Sequence, residues 1–229
     1  MIKLAIIHSG YVKPPEDYYD SEMFVSEKNA VTLVNANLEK TVKMLAQAGE
    51  SRADIAVTSE DFLDIGRHIR AVDQPELFGW LVAETENRIT DELCEIARKN
   101  KMLIAANEYE TDGGKVFNTT KLIGRDGAII YRYKKVHIPS GERFLVHPGG
   151  EKPEVIKTDI GNIGFATCYD IIFPEHCRIL ALDGADIIIH QTQGWGTGAK
   201  SSIETGEAFM RVRAAENSVY LAVAKNVFN

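Results

Sequence analysis

The sequence has few cysteines and no long apolar run. Three Cys in 229 residues are too few and too scattered for a disulfide framework. We therefore expect a reduced, cytoplasmic protein. No stretch approaches the roughly 18 consecutive apolar residues of a membrane span, and the first ten residues contain no signal-peptide core.

Basic residues are also in the minority. The chain has 26 Lys+Arg against 33 Asp+Glu, a formal net charge of −7. Binding of a phosphate backbone needs a Lys/Arg excess on one face, so this balance disfavours nucleic-acid and anionic-membrane partners. The six histidines show no metal-ligand spacing. The glycine-rich stretch 194–198 lacks the Gly-Lys-Ser/Thr ending of a phosphate loop, so we expect no metal and no cofactor.

What is present is an ordinary globular composition, 45% hydrophobic and 26% charged, with strands alternating with helices. The pattern predicts strands over 2–7, 53–57, 102–106, 185–190 and 219–224, helices over 30–48, 83–99, 174–182 and 204–217, and hairpins over 115–134 and 154–167. Such alternation on both sides of antiparallel hairpins indicates one α/β layered domain over 1–229. Gly49 and Gly184 are predicted to end their helices. The segment 11–28 is predicted to be a surface loop or lid.

The densest chemical signal surrounds Cys168, which follows the apolar strand 162–167 and precedes a helix beginning at Pro174. Open α/β sheets bind ligands at the carboxyl ends of their strands, and backbone N–H groups there can hold an oxyanion. From this segment alone, a nucleophile and a small buried core residue are equally good interpretations. Cys94 and Cys177 fall within predicted helices, where core packing is the better interpretation.

The extended segment 131–144 contains Lys134, Lys135 and His137. Because side chains alternate along a strand, Lys135 and His137 share a face and Lys134 points the other way. From the segment alone, a solvated basic strand edge is the simpler interpretation.

Two acidic positions also stand out. Glu60, followed by Asp61, comes just after the strand 53–57, although acidic residues are common in the first turn of a helix. Glu142 lies in a Pro/Gly loop, where an ordinary loop acid is an adequate interpretation.

Taken together, these segments resemble the nitrilase (carbon–nitrogen hydrolase) superfamily, on its amidase and N-carbamoyl-amine hydrolase side. Members carry a glutamate after an early strand, a lysine in a Tyr-x-Lys-x-His stretch and a cysteine after an apolar strand. Glu60, Lys135 and Cys168 match in that order. Supporting matches are Phe117-Asn118-Thr119, Gly141-Glu142, Phe173-Pro174-Glu175 and Arg213-Ala214-Ala215-Glu216-Asn217. The resemblance implies a four-layer α-β-β-α sandwich and favours Cys168 as a nucleophile.

The resemblance also implies roles for the matched residues. Glu60 would take the proton of the Cys168 thiol, which is mostly protonated at neutral pH. The Lys135 ammonium and the backbone N–H of Tyr169 would hold the oxyanion, and Glu142 would support Lys135 and position the substrate. We also name the side chains of Tyr169, Trp195 and Phe62 as candidates for the substrate pocket, with core packing an equal alternative for each.

Cys168-Tyr169-Asp170 resembles the amidase and N-carbamoyl-amine hydrolase members more than the Cys-Trp-Glu of true nitrilases. We predict a thiol hydrolase that releases ammonia from a small amide. Three alternatives stay open: an N-carbamoyl-amine hydrolase that releases ammonia and CO₂, a pseudo-enzyme that binds a ligand or partner, and an unrelated hydrolase with His137 as base. The family implies a homodimer or larger assembly formed through helices near the cysteine.

The sequence departs from the family pattern in three places. Ser59 stands where the family usually has proline, and residues 11–28 resemble an insertion. Family chains continue through further strands after the region of Asn226, so we expect a sheet that is short at its C-terminal end.

Overall fold

The computed structural model describes residues 1–8, 10–20, 22–69, 71–150, 152–194 and 200–226, and within them two β-sheets flanked by helices. The first sheet has the strand order β1 (Leu4–Ile7), β2 (Ile55–Thr58), β3 (Leu103–Asp112), β4 (Lys115–Ile123), β5 (Ile129–Lys134). The second has the order β6 (Ile156–Thr158), β7 (Gly161–Thr167), β8 (Ile187–Thr192), β9 (Tyr220–Lys225). The helices are α1 (Glu27–Glu50), α2 (Ile65–His68), α3 (Pro75–Asn100), α4 (Pro174–Leu182) and α5 (Lys200–Asn217).

These elements form four layers. In β2, Ala56 packs in the core shared with α1 and α3, whereas Ile55 and Val57 pack in the core between the two sheets, as the two-residue period of a strand requires. Phe165 and Ile189 supply the other side of that central core. A third core lies between the second sheet and the helices α4 and α5. The predicted α-β-β-α sandwich is confirmed.

Parallel strands bring the candidate site residues to one edge of the molecule. Strands β1, β2 and β3 are parallel, as are β7, β8 and β9. Glu60 comes two residues after β2 ends, and Cys168 directly follows β7. Both therefore lie at carboxyl ends of strands, the location where α/β sheets bind ligands.

Several boundaries differ from the sequence prediction: β3 continues to Asp112 rather than ending at 106, and α5 begins at Lys200 rather than at 204. Gly49 does not end α1, which continues to Glu50 and is capped by the backbone N–H of Ser51. Gly49 instead permits close packing, because a Cβ there would lie 2.2 Å from the side-chain oxygen of Asn100. Helix α3 begins at Pro75 rather than residue 83, since Phe78, Leu81 and Val82 extend its buried face by two turns. The predicted end of α4 before Gly184 (φ +90°) is confirmed.

The segment 11–28 has no regular structure before α1 among its described residues, as predicted for a loop. It is nevertheless anchored. Tyr18 is 2% exposed within the main core, and the backbone N–H of Val12 donates to the side chain of Asn37 at 2.8 Å. Ser26 then caps α1 by accepting the N–H of Asn29. A lid role for this segment stays a prediction.

No helix within the described ranges combines the length and apolar character needed to cross a bilayer.

Candidate active site

Glu60 is buried, 3% exposed, and every polar atom of its carboxylate is engaged. Its Oε1 accepts hydrogen bonds from Lys135 Nζ at 2.9 Å and Asn118 Nδ2 at 3.0 Å, and Oε2 accepts the backbone N–H of Gln193 at 3.0 Å. Its carbonyl accepts Asn226 Nδ2 at 3.0 Å. The carboxylate is thus fixed in orientation by groups from both sheets.

Lys135 is fully buried and lies between two carboxylates. Its Nζ donates to Glu60 Oε1 at 2.9 Å and to Glu142 Oε2 at 2.8 Å. Burial alone would lower the pKa of Lys135, but the charges of Glu60, Cys168 and Glu142 outweigh it and hold the pKa above its usual value. The basic-edge interpretation is therefore wrong for Lys135. It describes Lys134, whose ammonium contacts Asp112 near the surface.

Cys168 begins a 3-10 turn, Cys168–Ile172, directly after β7 and adopts φ +46°, a left-handed conformation that is uncommon for a non-glycine residue. Its side chain is partly exposed, and its thiol interacts electrostatically with the Glu60 carboxylate and the Lys135 ammonium. Burial raises the pKa of the thiol, Glu60 raises it further, and Lys135 only partly opposes them. The resting group is a thiol, so it needs a base before it can act as a nucleophile.

Glu142 is more open than Glu60, with a side chain that is 31% exposed. Its backbone carbonyl accepts the N–H groups of Leu145 and Val146, which fix the loop. Burial raises the pKa of its carboxyl group, while Lys135 opposes the rise. The contact with Lys135 means that Glu142 is more than an ordinary loop acid.

The three residues predicted as candidates for the substrate pocket have different outcomes. Tyr169 packs edge-on against Phe173 at 5.4 Å and lines a cavity of about 420 Å³ with His137 and Arg143. Trp195 lies outside the described residues. Phe62 is fully buried in the main core, so core packing is the correct interpretation for it.

Glu60 and Asp61, the two acidic residues after β2, have different contacts. Whereas Glu60 faces Lys135, the Asp61 carboxylate accepts the backbone N–H groups of Ile65 and Gly66, both at 2.9 Å. Asp61 therefore has the ordinary function of an acid at a helix start, here at α2.

His137 is held by Asp170 rather than by the cysteine. Its Nδ1 lies 2.9 Å from Asp170 Oδ1, and its ring stacks on Phe173 at 3.8 Å. No described contact joins His137 to Cys168, so the geometry offers nothing to the Cys–His alternative. His137, Asp170 and His176 place ligand atoms within 4.8 Å of one another. Hydrogen bonds within the protein already engage both oxygens of Asp170 and Nε2 of His176, so the cluster does not form a free metal-binding set.

Sequence reasoning gave no role to several residues that support Glu60, although it named Asn118 within a matching motif. Asn107 on β3 donates to Asn118 on β4 at 2.8 Å, and Asn118 donates to Glu60. The signal for Asn107 was an amide directly after the apolar run 102–106. Gln193 and Asn226 directly follow β8 and β9, the same strand-end position that singled out Cys168.

A two-sheet α/β/β/α fold, with a thiol, a carboxylate and an ammonium group buried together at its strand ends, defines a class of proteins equipped for thiol chemistry. The chain belongs to the carbon–nitrogen hydrolase family, whose sequence model matches residues 29–229. This confirms the resemblance to the nitrilase superfamily.

Curated relatives include a nitrilase of Pyrococcus abyssi, 31% identical over 83% of this chain and 69% of the relative. A citrullinase of Francisella tularensis is 30% identical over 68% of this chain and 55% of the relative. Among solved structures, an amidase from Nesterenkonia sp. is similar with a TM-score of 0.73 and 24% identity, over 84% of this chain and 70% of the other. The carbon–nitrogen hydrolase of Helicobacter pylori G27 has a TM-score of 0.72 and 24% identity, over 85% and 69%. At this identity the structural neighbours establish the fold alone.

Proposed function

We propose that this chain hydrolyses the non-peptide C–N bond of a small amide through a thioester on Cys168, releasing ammonia. One observation carries the proposal: the buried Glu60 carboxylate pairs with the buried Lys135 ammonium at 2.9 Å, and the charges of both groups act on the Cys168 thiol. Membership of the carbon–nitrogen hydrolase family supports it.

The first step is proton transfer from the Cys168 thiol to Glu60. Since the pKa of the thiol is raised, the thiolate forms only as a base removes its proton. The sulfur then attacks the carbonyl carbon, a C–S bond forms, and the carbonyl π electrons move onto the oxygen.

The developing oxyanion needs fixed positive charge. Lys135 supplies it, because its raised pKa keeps the ammonium protonated at any physiological pH. We assign the backbone N–H of Tyr169 as the second donor, since it directly follows the nucleophile. Loss of one such donor typically lowers the rate about 100–1000-fold.

Collapse of this intermediate breaks the C–N bond. Protonated Glu60 gives its proton to the leaving nitrogen, and ammonia departs. Glu60, again ionised, then removes a proton from water, which attacks the thioester. The acid product leaves and the thiol is restored, so atoms and protons balance without a cofactor. Glu142 supports Lys135 and positions the substrate.

The N-carbamoyl amine is the second candidate substrate class. The N-carbamoylputrescine amidase of Solanum tuberosum, 24% identical over 85% of this chain and 66% of the relative, favours it. We keep the amide first because relatives include proteins named as amidases of other substrates. One is the deaminated glutathione amidase of Synechocystis sp., 27% identical over 81% of this chain and 70% of the relative.

We further propose a homodimer or larger homo-oligomer. Leu182 at the end of α4 is 77% exposed, and Val212 on α5 is 49% exposed. Both flank the layer next to the Cys168 turn, where a second copy would cover them. A monomer by light scattering at micromolar concentration would contradict this.

The test is ammonia release from a panel of small amides, N-carbamoyl amines and nitriles, with Cys168→Ala as the control. Release that disappears in the variant supports a thiol hydrolase. Ammonia without CO₂ indicates an amide, and both products together indicate a carbamoyl compound. If the folded wild-type chain releases ammonia from no compound of the panel, and no panel compound forms a covalent adduct with Cys168, the result would favour the pseudo-enzyme.

A further inference from the structure

Asp170 is a fully buried carboxylate that contacts both halves of the candidate site without being part of the triad. Its Oδ1 accepts the backbone N–H of His137 at 2.8 Å and lies 2.9 Å from Nδ1 of the same residue. Its Oδ2 accepts the hydroxyl of Tyr133 at 2.5 Å and the backbone N–H of Thr167 at 2.9 Å. Four donor groups thus converge on one side chain.

The positions of these donors are informative. Tyr133 and His137 are the residues two before and two after Lys135. Thr167 directly precedes Cys168, and Asp170 itself follows Cys168 by two positions. Lys135 follows β5 of the first sheet, and Cys168 follows β7 of the second sheet. The Asp170 carboxylate therefore connects the residues on both sides of Lys135 to the turn that contains Cys168.

The Cys168 turn needs such support. A non-glycine residue at φ +46° persists only where its surroundings hold it. Asp170 and Thr167 supply a reciprocal capping box: the Thr167 side chain accepts the backbone N–H of Asp170, and the Asp170 side chain accepts the backbone N–H of Thr167. Although burial would raise the pKa of Asp170, its hydrogen bonds and the nearby histidines lower it below the usual value, so the group is an anion.

We propose that Asp170 is a positioning residue that sets the placement of the Lys135 ammonium relative to the Cys168 sulfur. The inference rests on the proposed function for the catalytic assignments of Lys135 and Cys168. Asp170 touches neither the substrate nor the reacting atoms in this scheme. A misplacement of about 1 Å between reacting groups can lower a rate by about 100-fold, so the effect falls on turnover.

The experiment compares Asp170→Asn, which keeps the shape but places an amide N–H₂ against donors, with Tyr133→Phe, which removes one of the four donors. Glu108→Gln is the matched control. Glu108 is also a buried carboxylate, but it pairs with Lys121 on the opposite face of the first sheet, beneath α3. Steady-state kinetics on the responding substrate and thermal unfolding are measured for all three.

The expected result is a kcat about 100-fold lower in Asp170→Asn and several-fold lower in Tyr133→Phe, each with KM within about threefold of wild type. Glu108→Gln should unfold at lower temperature with kcat unchanged. A kcat within threefold of wild type in folded Asp170→Asn, or an equal loss in Glu108→Gln, would overturn the proposal. If Asp170→Asn does not fold, Tyr133→Phe tests the proposal alone. A kcat within threefold of wild type in Tyr133→Phe would then overturn it.

A crystal structure of the variant provides a readout without turnover. We expect either that Cys168 leaves its positive φ or that the distance from Lys135 Nζ to Glu60 Oε1 increases beyond 2.9 Å. Retention of both geometries would overturn the positioning role even if the wild-type chain hydrolysed nothing. Absence of Cys168-dependent ammonia release in wild type would refute only the proposed function.

Discussion

The Nζ atom of Lys135 lies 2.9 Å from Oε1 of Glu60, although the two residues are 75 positions apart in the chain. Their strands, β5 and β2, are separated in the sheet by β3 and β4. Two long side chains therefore meet across strands spaced about 4.8 Å apart. Two asparagines lie on the intervening strands. Asn107 on β3 donates a hydrogen bond to Asn118 on β4, and Asn118 donates to Glu60.

The first prediction concerns the stability of this contact. Lys135→Met keeps the volume but leaves the buried carboxylate of Glu60 and the partly exposed carboxylate of Glu142 without their cation. Breaking a buried ion pair in this way typically costs about 3–5 kcal/mol, and we expect that loss in the free energy of unfolding, measured by urea titration. Adding Glu60→Gln should recover part of it, because the two substitutions remove interacting charges.

The control for that cycle is Lys43→Met, which breaks the exposed pair of Lys43 with Glu39 on α1. Exposed pairs contribute little, so the unfolding midpoint should hardly move. Additive effects of Lys135→Met and Glu60→Gln would contradict a direct coupling between the two residues.

The second prediction concerns the pH dependence of Cys168 alkylation by a neutral reagent, followed by mass spectrometry of the Cys168 peptide. Burial and Glu60 raise the pKa of the thiol, so the thiolate fraction at any given pH is lower than in free cysteine. The alkylation rate of Cys168 should still be rising at pH 10. The alkylation rate of glutathione, the reference thiol, should approach its plateau between pH 8 and 10. A plateau below pH 8 would indicate a resting thiolate and would remove the need for Glu60 as base.

The family resemblance, which rests on motifs that are local in sequence, was enough to select Glu60, Lys135 and Cys168 as candidate site residues. Glu60 and Cys168 follow apolar strands, and the Tyr-x-Lys-x-His register selected Lys135 over Lys134, which the structure places near the surface. The layered fold followed from the alternation of strands and helices. These features are local in sequence, so no knowledge of distant contacts was needed.

The supporting groups depend on distant contacts. The backbone N–H of Gln193 meets Glu60 across 133 positions, and the Asn226 amide meets its carbonyl across 166. Whether a polar residue at a strand end points toward a particular carboxylate depends on how the two sheets are packed. Gly49 was misassigned for the same reason, because its role is set by Asn100 on another helix.

The third prediction concerns Asn118, whose Nδ2 donates to Glu60 Oε1 at 3.0 Å. Asn118→Ala removes a hydrogen bond to a charged group, which typically contributes about 1.5–3 kcal/mol. We expect kcat to fall at least about tenfold while KM changes little, as measured by initial rates of ammonia release. Thr119→Val, on the same strand, is the control, since its hydroxyl is buried without a hydrogen bond to any described residue. Equal losses in the two variants would show that β4 packing, and not the Asn118 amide, matters.

The fourth prediction concerns Ser59, the buried residue that directly precedes Glu60. Its hydroxyl donates to Asn226 Oδ1 at 2.6 Å, and Asn226 in turn donates to the carbonyl of Glu60. Ser59→Ala leaves that buried amide oxygen without its donor, so we expect a loss of about 1–3 kcal/mol in the free energy of unfolding. Thermal and urea unfolding measure it. Thr32→Ala serves as the comparison, because its hydroxyl bonds only to the preceding turn of α1 at the surface. A Ser59→Ala protein as stable as Thr32→Ala would show that the serine hydroxyl does not support Glu60.

The last prediction separates the two carboxylates around Lys135. Glu60 is buried and its charge acts on the Cys168 thiol, whereas Glu142 pairs with the Lys135 ammonium and has a side chain that is 31% exposed. General acid–base catalysis contributes about 100–10,000-fold. Glu60→Gln should therefore lower kcat by about 1000-fold or more. Glu142→Gln should lower it by a smaller factor, about 10–100-fold, with a larger share of its effect in KM.

Both variants keep the hydrogen-bonding shape of the side chain, so folding is comparable and the contrast reports on charge and proton transfer. Equal kcat values for the two variants would mean that Glu60 acts only as a second anchor for Lys135, and the base that deprotonates Cys168 would have to be sought elsewhere in the site.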